Sequence, residues 1–193
     1  TWDDPAWDSD AVAAVTDDLN NTGGEWRSIA VGPGSLPVVR WVRVRLDVDD
    51  SQLASSSHSG QYLGGFDQVC LQAEAVVVGD LISNGSFEDY DADPYQPADW
   101  SIDPADDGDF QAMVEPPVPD GARWLAKSDS GDDTTIRFYQ VVDLADRIQG
   151  WINIDTELKF IRYQLSAMVI NNGGTGVKIG LEYLPYSYNI GTP

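Results

Sequence analysis

The chain has 193 residues, enough for one large domain or two small ones, and its 42% hydrophobic content is that of a chain able to bury a core. Its formal net charge of −21 argues against nucleic acid as a partner, since such binding needs a basic surface. No apolar run approaches the ~20 residues of a membrane-spanning helix, and the lone Cys70 permits no intrachain disulfide.

Asp outnumbers Glu more than four to one. Asp is a poor helix former that favours turns, side-chain caps and hard-cation sites. Such a charge suits a protein kept soluble in a salty or calcium-containing exterior. A start at Thr1 without methionine leads to the expectation that a leader or larger upstream part has been removed. Two glycosylation-type sequons, at Asn20 and Asn84, matter only in a secretory setting.

In chain order, residues 9–19 are the best helix candidate, with Ser9 capping a stretch that carries Ala11, Val12, Val15 and Leu19. Residues 38–48 alternate as a strand, with Val42, Val44 and Leu46 on one face and Trp41, Arg43 and Arg45 on the other. Residues 51–60 are a Ser-rich loop holding the only histidine, His58. Residues 65–72 form a strand with Val69 and Leu71 on one face. The Asp- and Pro-rich stretch 89–119 reads as a long loop with little regular structure. Residues 136–142 read as a strand around Tyr139, and a turn of helix is expected at 144–148. Strand 160–170 turns Tyr163, Leu165, Ala167 and Val169 inward, and strand 176–184 does the same with Val177, Ile179, Leu181 and Tyr183. Asn171-Asn172-Gly173-Gly174 between them is a hairpin signal. Many strands, Gly, Pro and Asp turns and few helices predict an all-β sandwich.

The sequence N-G-S-F-E at 84–88, followed by P-A-D-W at 97–100, resembles the opening of calcium-binding jelly-roll carbohydrate-binding modules, which are galactose-binding-like β-sandwiches. Y-Q-V-V at 139–142, Y-Q-L-S-A at 163–167 and residues 176–183 resemble their middle strands. The strand at 38–48 and G-G-F-D-Q-V at 64–69 resemble their last two, with Gln68 in place of a second acid. The resemblance therefore divides the chain into residues 1–73, carrying the C-terminal half of such a module, a linker at 74–80, and residues 81–193, carrying the N-terminal half. The halves stand in swapped order. A circular permutant, a cut from a tandem array, or completion by a neighbouring chain would each account for it. The last gives head-to-tail self-association, and a filament unless it closes into a ring.

The resemblance also implies a structural Ca²⁺ joining the first and last strands. Glu88 and Asp67 match its carboxylates, and Asp89, Asp91, Asp129 and a loop carbonyl near residues 127–129 complete the candidate set. Calcium takes 6–8 oxygen ligands, which carboxylates and carbonyls supply. For a polysaccharide or other glycan, the candidate contacts are Trp41, Arg43, Arg45 and Trp151. Aromatics stack on sugar rings, and arginine forks bind carboxylates. Internal pairing with the chain's own acids is the alternative for the arginines, and core burial is the alternative for Trp100 and Trp124.

Nothing places a nucleophile beside His58, and the acid pairs Asp106/Asp107 and Asp132/Asp133 carry no weight in so acidic a chain. The expectation is a non-catalytic, extracellular or cell-surface carbohydrate-binding module stabilised by calcium. The alternative is a structural subunit of a head-to-tail filament, fibre or tandem-repeat adhesin with the same fold.

Overall fold

The computed structural model describes residues 12–20, 22, 24–37, 41–49, 62–73, 80–90, 97–103, 110–113, 118–128, 136–144, 160–171 and 176–183. Ten strands follow in chain order: β1 Val12–Asn20, β2 Arg27–Pro37, β3 Trp41–Asp49, β4 Tyr62–Ala73, β5 Ser101–Asp103, β6 Phe110–Met113, β7 Trp124–Ser128, β8 Ile136–Asp143, β9 Phe160–Asn171 and β10 Gly176–Tyr183. Among the described residues they build two five-stranded sheets, ordered β1-β10-β3-β8-β5 and β2-β9-β4-β7-β6. Every pairing is antiparallel. The described residues contain no helix, so the all-β expectation holds.

One core fills the space between the sheets. Val42, Val44, Leu46 and Val48 of β3 meet Leu165, Ala167 and Val169 of β9 and Val177, Ile179 and Leu181 of β10 in a single apolar cluster. The period-2 pattern that marked these strands is the pattern by which they bury one face. Each such aliphatic side chain contributes about 1.5–3 kcal/mol when fully buried.

Pairing follows an unusual rule. Strands β1 to β4 precede residue 74 and β5 to β10 follow it, and among the described residues no member of the first group pairs with another of that group. β1 lies beside β10, β3 between β10 and β8, β2 beside β9, and β4 between β9 and β7. The two parts of the chain interleave like the teeth of two combs.

Three sequence expectations are corrected. Residues 12–19 are not helical: they lie in edge strand β1, paired with β10 from Val12↔Tyr183 to Asn20↔Gly176. The β-branched Val12 and Val15 and the paired Asp17-Asp18 disfavour a helix, and a waiting strand edge decides the outcome. Residues 9–11, the start of that candidate, lie outside the described residues, as do 145–148 of the second helical candidate. Asn171-Asn172-Gly173-Gly174 does not make a hairpin, because β9 and β10 belong to different sheets. β9 ends instead on Thr22, whose amide and hydroxyl donate to the Asn171 carbonyl at 3.1 and 3.0 Å while the Asn171 amide donates to the Thr22 hydroxyl at 2.9 Å. Finally, the stretch 89–119 holds two short strands, β5 and β6.

Residues 80–88 join the parts. They form no regular strand, yet they run antiparallel along β4: the Leu81 amide donates to the Leu71 carbonyl and the Val69 amide to the Gly85 carbonyl, both at 2.9 Å. Asp80 reinforces the contact by accepting the amides of Leu71 at 2.8 Å and Ile82 at 3.0 Å. Gly85 is needed there, because a Cβ would lie 2.0 Å from the Val69 carbonyl oxygen. Substituting Gly85→Ala therefore forces the segment off β4. The expected cost is roughly 1–3 kcal/mol, seen as a lowered urea midpoint.

Candidate functional site

The candidate site sits at this junction. β4 slips register between Asp67 and Cys70 in its pairing with β9. Gln68 adopts φ +49 there. Strict alternation would put Phe66 and Val69 on opposite faces, but the bulge lets both face the core, at 0% and 1% exposure. The same bulge draws the Asp67 side chain inward to 0% exposure. Its Oδ1 accepts the Gln68 amide at 2.8 Å and its Oδ2 the Asp120 amide at 2.9 Å.

Glu88 grips the same loop from the other part of the chain. Its Oε1 accepts the amides of Ala122 at 2.8 Å and Arg123 at 2.7 Å. Gly121, just before them, has φ +66, and a Cβ there would come within 2.3 Å of Glu88 Oε1. Asp67 and Glu88, predicted as a pair, are thus brought together on one loop of one chain. That loop, 120–123, precedes β7, whereas the sequence reading placed the loop ligand near residues 127–129, at and beyond its end. A P-D-G turn before an aromatic strand was the available signal. Lys127 lies within β7, while Asp91 and Asp129 lie outside the described residues.

The electrostatics of the cluster are unfavourable to its own charge. Burial pushes the Asp67 carboxyl up from 3.8 to about 6; the amides of Asp120 and Gln68 oppose this, and the charges of Asp120 and Glu88 add to it. Among the described residues no three acidic, cysteine or histidine side chains gather as a metal cluster. The donors present are nonetheless all oxygen and all anionic, the set a hard cation prefers.

The second candidate face is the outward side of β3. Arg43 donates from Nε to Glu182 Oε2 at 2.7 Å, and Arg45 reaches Glu182 Oε1 and, at 2.5 Å, Asp47 Oδ2. Arg137 Nε adds a bond to Asp47 Oδ1 at 3.2 Å. Arg43, Asp47 and Glu182 are buried to 5%, 8% and 4% exposure, and the Arg43 guanidinium stands 5.3 Å from the Tyr139 ring centroid. Strand register carries the pattern across the whole sheet: Asp18, Lys178, Asp47, Arg137 and Asp103 stand side by side on β1, β10, β3, β8 and β5. The arginines are therefore engaged by the chain's own acids, the alternative weighed from the sequence. Trp41 is half-buried at the end of this face, opposite Asp143 in register; Trp151 lies outside the described residues.

Other aromatics are structural. Trp100 and Trp124 are buried at 2% and 0% exposure. Trp100 packs on Phe87 with ring centroids 5.3 Å apart and donates to the Asn84 carbonyl at 3.1 Å. Trp124 meets Trp26 edge-on at 5.2 Å. The Asn84 carboxamide nitrogen donates to the carbonyls of Asp89 and Ala98 at 2.8 and 3.0 Å, so its sequon is occupied by structural bonds. Cys70 is half-buried, and burial beside Asp80 pushes its thiol up to about 11, away from a reactive thiolate. His58 and the paired acids 106–107 and 132–133 lie outside the described residues.

Two outcomes follow. Glu182→Gln leaves Arg43 buried without its carboxylate, at a cost of about 3–5 kcal/mol in urea unfolding, and replacing the pair together by Met and Leu costs less. For Asp67, the folded state holds the proton more tightly than the unfolded chain, with the carboxyl raised from 3.8 to about 6. Its contribution is therefore favourable at low pH and is lost as pH rises from about 4 through about 6, by on the order of 2 kcal/mol. In chelator, the stability difference between the native chain and Asp67→Asn should track that window.

No protein-family model, no curated protein and no solved structure matches this chain.

Proposed function

We propose that the chain is a non-catalytic, calcium-stabilised β-sandwich of the carbohydrate-binding type that works outside the cell, a jelly roll whose halves are permuted and close within one chain. The observation that carries this reading is the meeting of Asp67 and Glu88 on loop 120–123, one carboxylate from each side of the junction. The intrachain bonds between β4 and residues 81–85 support closure within the molecule. Asp67 and Glu88 would hold the ion with carbonyl oxygens of their loop. Bound there, calcium would favour the ionised form of Asp67 against the burial that keeps its carboxyl high and would tie the halves together. Glycan contact is assigned to the Trp41 end of the outward face, where an aromatic borders the Arg43 and Arg45 network.

Calcium at about 100 times its dissociation constant adds about 2.7 kcal/mol, or roughly 5–10 °C in Tm for a chain of this size. EGTA should reverse the shift, and Asp67→Asn with Glu88→Gln should abolish it. An unchanged Tm with calcium and EGTA would remove the ion from the proposal. Polysaccharide binding that Trp41→Ala leaves intact would remove that face.

A second reading, a structural subunit assembling head to tail, draws on the interleaved pairing, because the same strands can exchange between copies. Light scattering separates the two: growth of mass with concentration favours exchange, and a constant monomer mass favours closure.

A further inference from the structure

The part of the chain before residue 74 and the part after residue 79 meet as two molecules would. Among the described residues, six of the eight strand pairings join one part to the other: β1 with β10, β10 with β3, β3 with β8, β2 with β9, β9 with β4 and β4 with β7. The other two, β5 with β8 and β6 with β7, lie within the second part. Polar contacts follow the same division. The buried Arg43–Glu182 ion pair ties β3 to β10, and Arg137 on β8 reaches Asp47 on β3. Thr22 closes on Asn171, and Asp67 accepts the Asp120 amide. The core is shared too: Phe66, Val69 and Leu71 of the first part belong to one cluster with Leu125, Phe138 and Leu165 of the second.

We propose that the two parts are a binding pair that holds without the covalent join, so that the first part recognises the second whether both come from one copy or from two. Donating strands that complete another chain's sheets is a general recognition mode, in which ladder bonds give affinity and side chains at alternate positions give specificity. A short join adds only an effective concentration of millimolar order. Dividing that by the folding constant of a marginally stable domain leaves the severed pair a dissociation constant on the order of 0.1 μM or tighter. Buried charge adds selection, because a segment placed beside Glu182 without an arginine leaves a buried carboxylate alone. Such recognition needs neither ion nor sugar. It also differs from head-to-tail assembly, since one copy, once cut, already holds both members of the pair.

The test uses the full chain with a protease site, flanked by Gly-Ser spacers, inserted between Ala73 and Asp80 and cut after folding. Light scattering at micromolar concentration should find one particle with the mass of both parts, in calcium and in EGTA alike. Its urea midpoint should rise with protein concentration, while that of the uncut chain should not. Two cut samples, one isotope-labelled, unfolded together and then refolded, should re-form folded pairs that include hybrids. Glu182→Gln should loosen the cut pair on the order of 100-fold. Arg27→Gln, which opens an exposed bond to Glu25 within the first part, should leave it unchanged. Parts that separate or precipitate on cutting would overturn the proposal. Unfolded parts that fail to re-form a folded pair, or a cut pair indifferent to Glu182→Gln, would overturn it as well.

Discussion

The backbone contact between the Gly85 carbonyl and the Val69 amide ties a segment after residue 80 to the strand that ends at Ala73. It requires a residue without a Cβ, since the gap to the Val69 carbonyl admits no more. The rest of the junction is arranged around it. Asp80 satisfies two amides on one side, the bulge at Gln68 turns Asp67 inward on the other, and Phe87 and Trp100 seal the core beneath. Loosen that approach and both acids lose their common loop, because Asp67 and Glu88 are held by opposite strands of the contact.

Charge is organised differently on the two sides of the molecule. At the junction, Asp67 is buried beside other acids, and burial first, with their charges adding, disfavours its ionised form. On the outward face of β3, opposite charges are matched strand by strand, so that buried Arg43 and Glu182 satisfy one another. A buried pair of this kind adds little net stability over an apolar pair of equal volume, yet it penalises any strand slip that would leave one partner alone. That face is best understood as fixing the register of β3 between β10 and β8.

Legibility in the sequence followed burial. Strands β3, β9 and β10 were readable because each has one face in the core and keeps period 2 throughout. β1 and β2 are edge strands, and β2 contains Gly32-Pro33-Gly34 with a register shift, so neither shows clean alternation. β5 and β6 span three and four residues, too short for a periodic signal. Asn171 to Gly174 has hairpin chemistry, but whether two strands share a sheet is decided by tertiary pairing, which turn residues do not encode. Asp67 and Glu88 were paired by resemblance alone. The loop whose amides they share, 120–123, contributes backbone groups to them, and backbone groups carry no side-chain signature.

The comb-like pairing has a consequence for how the chain is made. At a synthesis rate of about 5–20 residues per second, β4 is complete some 4–17 seconds before β9 begins to emerge, since β4 ends at Ala73 and β9 starts at Phe160. Until β7 and β8 emerge within that interval, β1 to β4 are four nascent segments with bare hydrogen-bonding edges and none of the partners they will finally take. Exposed edges of this kind invite aggregation, and like-charge repulsion is the simplest guard against it. The acid surplus places that repulsion on the half-made protein.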